Sequence, residues 1–273
     1  MKNRQQTFDK SLEAVHIFRE ALQGWLFPSL EAELGALDEK HRAFVDIVGG
    51  TASNCALAGA SLTCQVNTSQ STGLIYLNSA DALMTHCFVT NNAGTISAYA
   101  ITQTDMTMCV TMDKGARVEN CLFADNVDAG DRSTNMKFPC AVWAINGRLA
   151  NCTIVRNIGF DVGGIMQKAG RTVNSVIAGN VANAENGDAD APIATQGYFA
   201  ACVVGGDPAA LFANPSRCRW VPHVGSILVD GGTLVGLAPP SLDLAGNPRV
   251  VRKAIDIGCY ECQSGARTLL LLR

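Results

Sequence analysis

The chain is poor in charge, in aromatic side chains and in long apolar runs. Only 16% of its 273 residues are charged, well under the ~25% usual for soluble domains. The net charge of −3 supplies neither the basic footprint of a nucleic-acid binder nor an acidic tail. No apolar run approaches the roughly 20 residues that a membrane-crossing helix requires, so no transmembrane span is expected. GxSxG, HExxH and paired CxxC sites are missing, which removes the serine-elbow hydrolases, the zincins and zinc ribbons. Gly163-Gly164 and Gly205-Gly206 lie in no strand–loop–helix unit, so they do not read as nucleotide loops.

What the chain does have is a recurring phrase. NCTIVRN (151–157) returns as HCFVTNN (86–92), NCLFADN (120–126), NSVIAGN (174–180) and ACVVGGD (201–207), with a frayed copy NCALAGA at 54–60. Each copy carries a small residue second: Cys55, Cys87, Cys121, Cys152, Ser175 and Cys202. Two residues later stands an apolar one: Leu57, Val89, Phe123, Ile154, Ile177 and Val204. Alternation running into a turn-former reads as a short strand and its turn. The separation, 34 residues from Cys87 to Cys121 and 23 from Cys152 to Ser175, reads as a solenoid whose coils bury their apolar faces on one another. With 26 Gly and 6% aromatics, the expected fold is all-β, a parallel β-solenoid of six or seven coils, each a pair of strands.

Eleven cysteines is a high and odd count. Because five share one repeat position, we read them as a ladder of buried thiols packing as small hydrophobes, rather than as a disulfide framework. Cys259 and Cys262 form the only CxxC, so no zinc site is expected. Asn92, Asn126, Asn157 and Asn180 end successive strands. They read as left-handed corner residues whose amides bond coil to coil.

Residues 1–48 differ from the rest. Phe8, Leu12, Val15, Phe18, Leu22 and Trp25 fall at helical spacing, and Pro28 ends that stripe. Ser29 is placed to cap a second helix carrying Leu30 and Leu34, and Asp38 a third through Phe44, Val45 and Ile47. Asp9, Glu13, Arg19 and Glu20 interrupt the segment, so it does not read as a secretory signal. The organisation expected is a helical leader or cap at 1–48, solenoid coils at 49–207, an irregular carboxy-terminal segment at 208–263 and a tail at 264–273. Polar insertions at 127–139 and 181–197 are expected to leave the coils as lateral loops.

Chemistry has few candidates. DNVDAGDR offers Asp125, Asp128 and Asp131 as hard oxygen ligands for Ca²⁺, but the loop lacks the EF-hand glycine and glutamate and reads rather as a solvated acidic loop. No other cofactor is indicated. Asp125 and Asp161 are the candidate carboxylate pair for glycoside hydrolysis, with Arg156 or Lys168 as a lyase base. Phe88, Leu122, Thr153, Val176 and Val203 form an apolar outward stripe that needs a cover. Trp220, Val221 and Ile227 are the cover expected within the chain.

The closing phrase DLAGNPRVVRKAIDIGCYE (243–261) resembles the terminal segment of bacterial right-handed parallel β-helix surface proteins with assorted carboxy-terminal anchors. There a D-x-x-GNPR stretch precedes DIGAYE; ALFANP (210–215) and ILVDGG (227–232) fit the same ending, and Cys259 stands where Ala is usual. The resemblance implies a right-handed, pectin-lyase-like solenoid at the cell surface or outside the cell. It implies a noncatalytic scaffold with a polysaccharide or cell-surface glycan as partner. A polysaccharide lyase or hydrolase on the same fold is the alternative, because such solenoids host both. HIFREALQGWLFPSLEAELGALDEKHRAFVDIV (16–48) faintly resembles the helical leader of insertion-sequence transposases. It holds no catalytic motif, and its third reading is a mobile-element fusion.

Overall fold

The computed structural model describes residues 29–30, 33–34, 41–66, 71–98, 107–130, 137–217, 219–234 and 241–264. The chain is a parallel β-solenoid with little helix. One circuit uses four short strands, not the expected two, each joining a different sheet. Sheet I holds His41–Gly49, Ser71–Asn78, Val110–Asp113, Val142–Ala144 and Ile165–Gln167. Sheet II holds Thr51–Ser53, Leu83–Thr85, Ala116–Glu119, Gly147–Ala150, Gly170–Val173 and Phe199–Ala200. Sheet III begins one residue after each small residue of the repeat: Ala56–Ala58, Phe88–Thr90, Leu122–Ala124, Thr153–Val155, Val176–Ala178 and Val203–Val204. Sheet IV closes the circuit with Ser61–Val66, Ala93–Ala98, Val127–Asp128, Ile158–Gly159 and Val181–Ala182. Five four-stranded circuits begin at His41, Ser71, Val110, Val142 and Ile165, and a sixth, incomplete one follows with Phe199–Ala200 and Val203–Val204, against the six or seven expected.

The apolar stripe from Phe8 to Trp25 lies outside the described residues. The other two helices expected near the amino end do not form. Ser29–Leu30 and Glu33–Leu34 are short strands antiparallel to the first circuit, and His41–Gly49 pairs in parallel with Ser71–Asn78. Phe44, Val45 and Ile47 suit either period, and a neighbouring strand that satisfies every second backbone group wins over local spacing. The solenoid therefore starts before residue 49, inside the stretch that resembles a transposase leader.

Like residues stack on like between coils, so the core runs as columns. Ile47, Leu77, Met112 and Ala144 stack inside sheet I; Ala52, Met84, Val118 and Leu149 inside sheet II; Leu57, Val89, Phe123, Ile154 and Ile177 inside sheet III. Each buried rung removes apolar area worth about 25 cal/mol per Å² from water.

Two polar ladders line the ends of sheet III. On one side Cys55, Cys87, Cys121, Cys152, Ser175 and Cys202 each donate to the carbonyl two residues earlier, at 2.9–3.3 Å. These cysteines are unbridged, and all but the half-buried Cys202 are buried. Burial pushes the Cys202 thiol up to about 11 and raises that of Cys121 well above its ordinary value. Cys109 and Cys140, both buried and free, add a second stacked pair at the head of sheet I, since the Cys109 amide donates to the Cys140 carbonyl.

On the other side the asparagine ladder runs from coil to coil. Asn92 donates its amide to Asn126 Oδ1 at 2.9 Å, Asn126 to Asn157 at 2.8 Å and Asn157 to Asn180 at 2.9 Å. Each also donates to a carbonyl of the preceding coil: Leu57, Val89 and Phe123. The last rung is a carboxylate, Asp190, which accepts from Asn180 Nδ2 at 2.7 Å and whose burial raises its pKa. These asparagines are not the left-handed residues expected. Positive φ falls one residue earlier, at Asn91, Asp125, Arg156 and Gly179, and at the other corner at Asn54, His86, Asn120, Asn151, Asn174 and Ala201.

The stretch 181–197 does not leave the solenoid as a simple lateral loop. Gly164 and Ile165 donate to the carbonyls of Ala189 and Asp190, so 188–190 extends sheet I by another rung. The insertion at 127–139 likewise starts as a strand of sheet IV, Val127–Asp128; residues 131–136 lie outside the described residues.

Candidate ligand-binding face

The outward side of sheet III is closed. After Asp207, whose carboxylate caps the helical turn Pro208–Leu211, Phe212–Asn214 pairs antiparallel with Arg219–Pro222. Phe212 and Trp220 meet edge to face at 5.3 Å and pack with Leu211, Leu228, Leu244, Ile257 and Cys259 over Leu122, Val155 and Val176. Phe88 and Val203 border the same cluster, and Thr153 Oγ1 accepts from the Cys259 amide at 3.1 Å. The outward stripe is therefore a second core. Trp220 covers it as expected, whereas Ile227 is 67% exposed and its neighbour Leu228 makes the contact.

The first position of the repeat docks this cover. Asn174 Oδ1 and Nδ2 bond Thr233 N and O, both at 2.8 Å, and Gly258 N donates to the Asn174 carbonyl. His86 Nε2 reaches the Leu242 carbonyl, and Asn120, with its amide turned to satisfy both ends, donates to the Cys259 carbonyl and accepts from the Leu244 amide. A left-handed residue turns its own side chain out of the corner, and so serves two purposes at once.

Four charged residues of the closing phrase, Asp243, Arg249, Asp256 and Glu261, are internal. Asp243 accepts from the amides of Ala245, Asn247 and Glu261. Asp256 accepts from Asp230 N and Cys262 N, Glu261 accepts from Asp256 N, and Arg249 donates to the carbonyls of Asp256 and Gly258. All four are at most 2% exposed. Burial pushes Glu261 up to about 7, raises Asp256 and lowers Arg249. These residues brace backbone turns.

Of the catalytic and calcium candidates, Asp125 and Arg156 meet, and they meet as an ion pair. Asp125 forms a bidentate pair with Arg156, Nε–Oδ1 2.7 Å and Nη2–Oδ2 2.8 Å. Arg156 also donates to the Pro215 carbonyl and lies 4.9 Å from the Trp220 ring centre, so the pair bolts the cover to the third sheet. Asp161 is 8% exposed and accepts from Phe138 N at 3.2 Å. Asp128 is fully buried on an inward position of sheet IV and accepts from Ile96 N and Gly130 N. Asp131 lies outside the described residues, among which no group of acids, Cys or His gathers to hold a metal. Lys168 is an exposed turn residue.

Sheet II is different. Its outward row is Thr51, Leu83, Arg117, Arg148 and Arg171, in direct register from coil to coil. The next strand continues the register at Phe199, which faces Thr172, and so brings exposed Tyr198 beside Arg171. Arg171 is exposed and Arg117 and Arg148 are half-buried. Arg148 pairs with Glu119 on the coil before it, while Arg117 and Arg171 have no acidic partner among the described residues. Lys114 and Lys168 stand in the turns three residues ahead of Arg117 and Arg171. Close rung spacing requires glycine just before the row: a Cβ on Gly170, φ +87°, would meet Gly147 O at 1.9 Å.

The row was readable. GARVENC, GRLANC and GRTVNS place Arg four residues before the small residue of three successive repeats. Reading forward from that residue, not backward, passes over it. No protein-family profile, no curated protein and no solved structure matches this chain.

Proposed function

We propose that this chain is a noncatalytic scaffold that works at the cell surface or outside the cell, and that it holds an elongated glycan along the outer face of sheet II. In this reading the solenoid is right-handed and pectin-lyase-like, as its closing phrase suggests. One observation carries the proposal. The carboxy-terminal segment covers the apolar side of sheet III, whereas the outward row of sheet II runs through three arginines in register, with Arg171 and Tyr198 exposed at its end. A flat row with a rung about every 4.8 Å is complementary to a repeating linear chain.

Affinity electrophoresis through gels containing soluble polysaccharides tests this reading. Retardation by at least one polysaccharide, with no release of reducing ends or unsaturated sugars, is expected. Retardation by none would overturn it. So would turnover that Asp125→Ala or Asp161→Ala abolishes, which the lyase or hydrolase reading requires.

A further inference from the structure

We propose that Arg117, Arg148 and Arg171 form a rail for an acidic polysaccharide, one anionic group to each rung; this rests on the glycan-binding reading above. Cations directly opposite on neighbouring strands repel one another, and here three stand in consecutive register. Only Glu119 offsets them within the described residues, through Arg148. Glu119 is tied to that one arginine, so Arg117 and Arg171 are left for a ligand anion to neutralise. An anion repeating along the row relieves the repulsion at every rung, which a single small anion cannot do.

The side chains point to the chemistry. The guanidinium fork grips carboxylate or sulfate oxygens in bidentate fashion. Lys114 and Lys168 add exposed positive charge at the edge of the row, and Tyr198 offers an aromatic face beside Arg171. Nucleic acid is the poorer fit. The protein carries net charge −3, Glu119 and Asp113 interrupt the cationic strip, and stacking platforms for successive bases are not part of the row.

The experiment measures binding of polygalacturonate, dextran sulfate, neutral dextran and single-stranded oligodeoxythymidine to the full chain by titration calorimetry at low and high salt. The expected result is salt-sensitive binding of polygalacturonate, dextran sulfate or both, with the two arms separating carboxylate from sulfate. Arg117→Glu with Arg171→Glu should weaken it by about tenfold or more, and Arg117→Lys with Arg171→Lys should lose less. Arg217→Glu with Arg219→Glu, the same charge change at exposed positions of the covering segment, should leave the affinity within about twofold. Unchanged circular dichroism and melting confirm that the variants fold. Equal losses in both double reversals, or oligodeoxythymidine bound as tightly as the acidic glycans, would overturn the rail. Binding of neutral dextran that the reversals leave intact would overturn the rail but leave the scaffold reading standing. Binding of none of the glycans would remove both.

Discussion

Sheets II and III are built by the same repeat, yet their outer faces have opposite fates. Outward positions of sheet III are Phe88, Leu122, Thr153, Val176 and Val203, and Leu211, Phe212, Trp220, Leu228, Leu244, Ile257 and Cys259 of the carboxy-terminal segment pack on that side. Outward positions of sheet II include three arginines, and the described residues leave that row open. The inward residues scarcely distinguish the two sheets, since both supply aliphatic columns. It is the outward residue, the half of the alternation that does not build the first core, that decides where the chain folds back and where a ligand is met.

The comparison is broken most severely by removing the anchor of the cover. Trp220→Ala empties a fully enclosed site, takes away the ring under Arg156 and leaves Phe212 without its partner. It should cost about 3–5 kcal/mol in urea unfolding. Arg117→Ala, on the open sheet, should stay within about 0.5 kcal/mol.

Next comes the asparagine ladder that both faces depend on. Asn126→Ala removes the oxygen that accepts from Asn92 N and Nδ2, at 3.1 and 2.9 Å. Two buried donors lose their acceptor, a loss of about 3 kcal/mol by equilibrium denaturation. Asn126→Asp should be tolerated better at low pH. A carboxylate facing Val89 O and Asn157 Oδ1 must be protonated to donate to either, so its stability should rise as pH falls.

A smaller effect separates the cover from the coils by pH. Glu261 titrates near 7 because burial opposes its charge, against an ordinary value of 4.5. Between those values the folded chain binds more protons than the unfolded one, so this group's contribution to stability falls as pH rises through the window. Glu261→Gln keeps an acceptor for the Asp256 amide and should flatten that dependence. Urea midpoints at pH 5 and pH 8 for both proteins measure it. A small change is expected at Ala201, a corner residue at φ +49° whose methyl side chain makes no hydrogen bond to offset the left-handed backbone. Ala201→Gly should stabilise by about 1 kcal/mol or less.

The inward ladders of this fold are legible in the sequence, and so is the need for a cover that includes Trp220. The thiol and asparagine positions announce themselves because each rung imposes the same small or amide residue on the next. The left-handed site was misplaced by one residue because Asn occupies both Asn91 and Asn92, and composition alone does not tell a corner from a buried amide. Asp128 was read as a surface ligand, since an acid on an inward strand position makes sense only once its two amide donors are in view. Phe44, Val45 and Ile47 after Asp38 suit a helix as well as a strand, because their apolar spacing fits both periods. The partner that decides it, Ser71–Asn78, lies a full circuit away.

The central claim, that the carboxy-terminal segment roofs sheet III, is tested most directly by Trp220 itself. In a variant with Trp25→Phe and Trp143→Phe, Trp220 is the sole indole. Blue-shifted emission that acrylamide barely quenches, moving to the red in denaturant, is the result this structure predicts. Emission at the wavelength of a solvated indole, quenched as freely in the native protein as in the unfolded one, would contradict it.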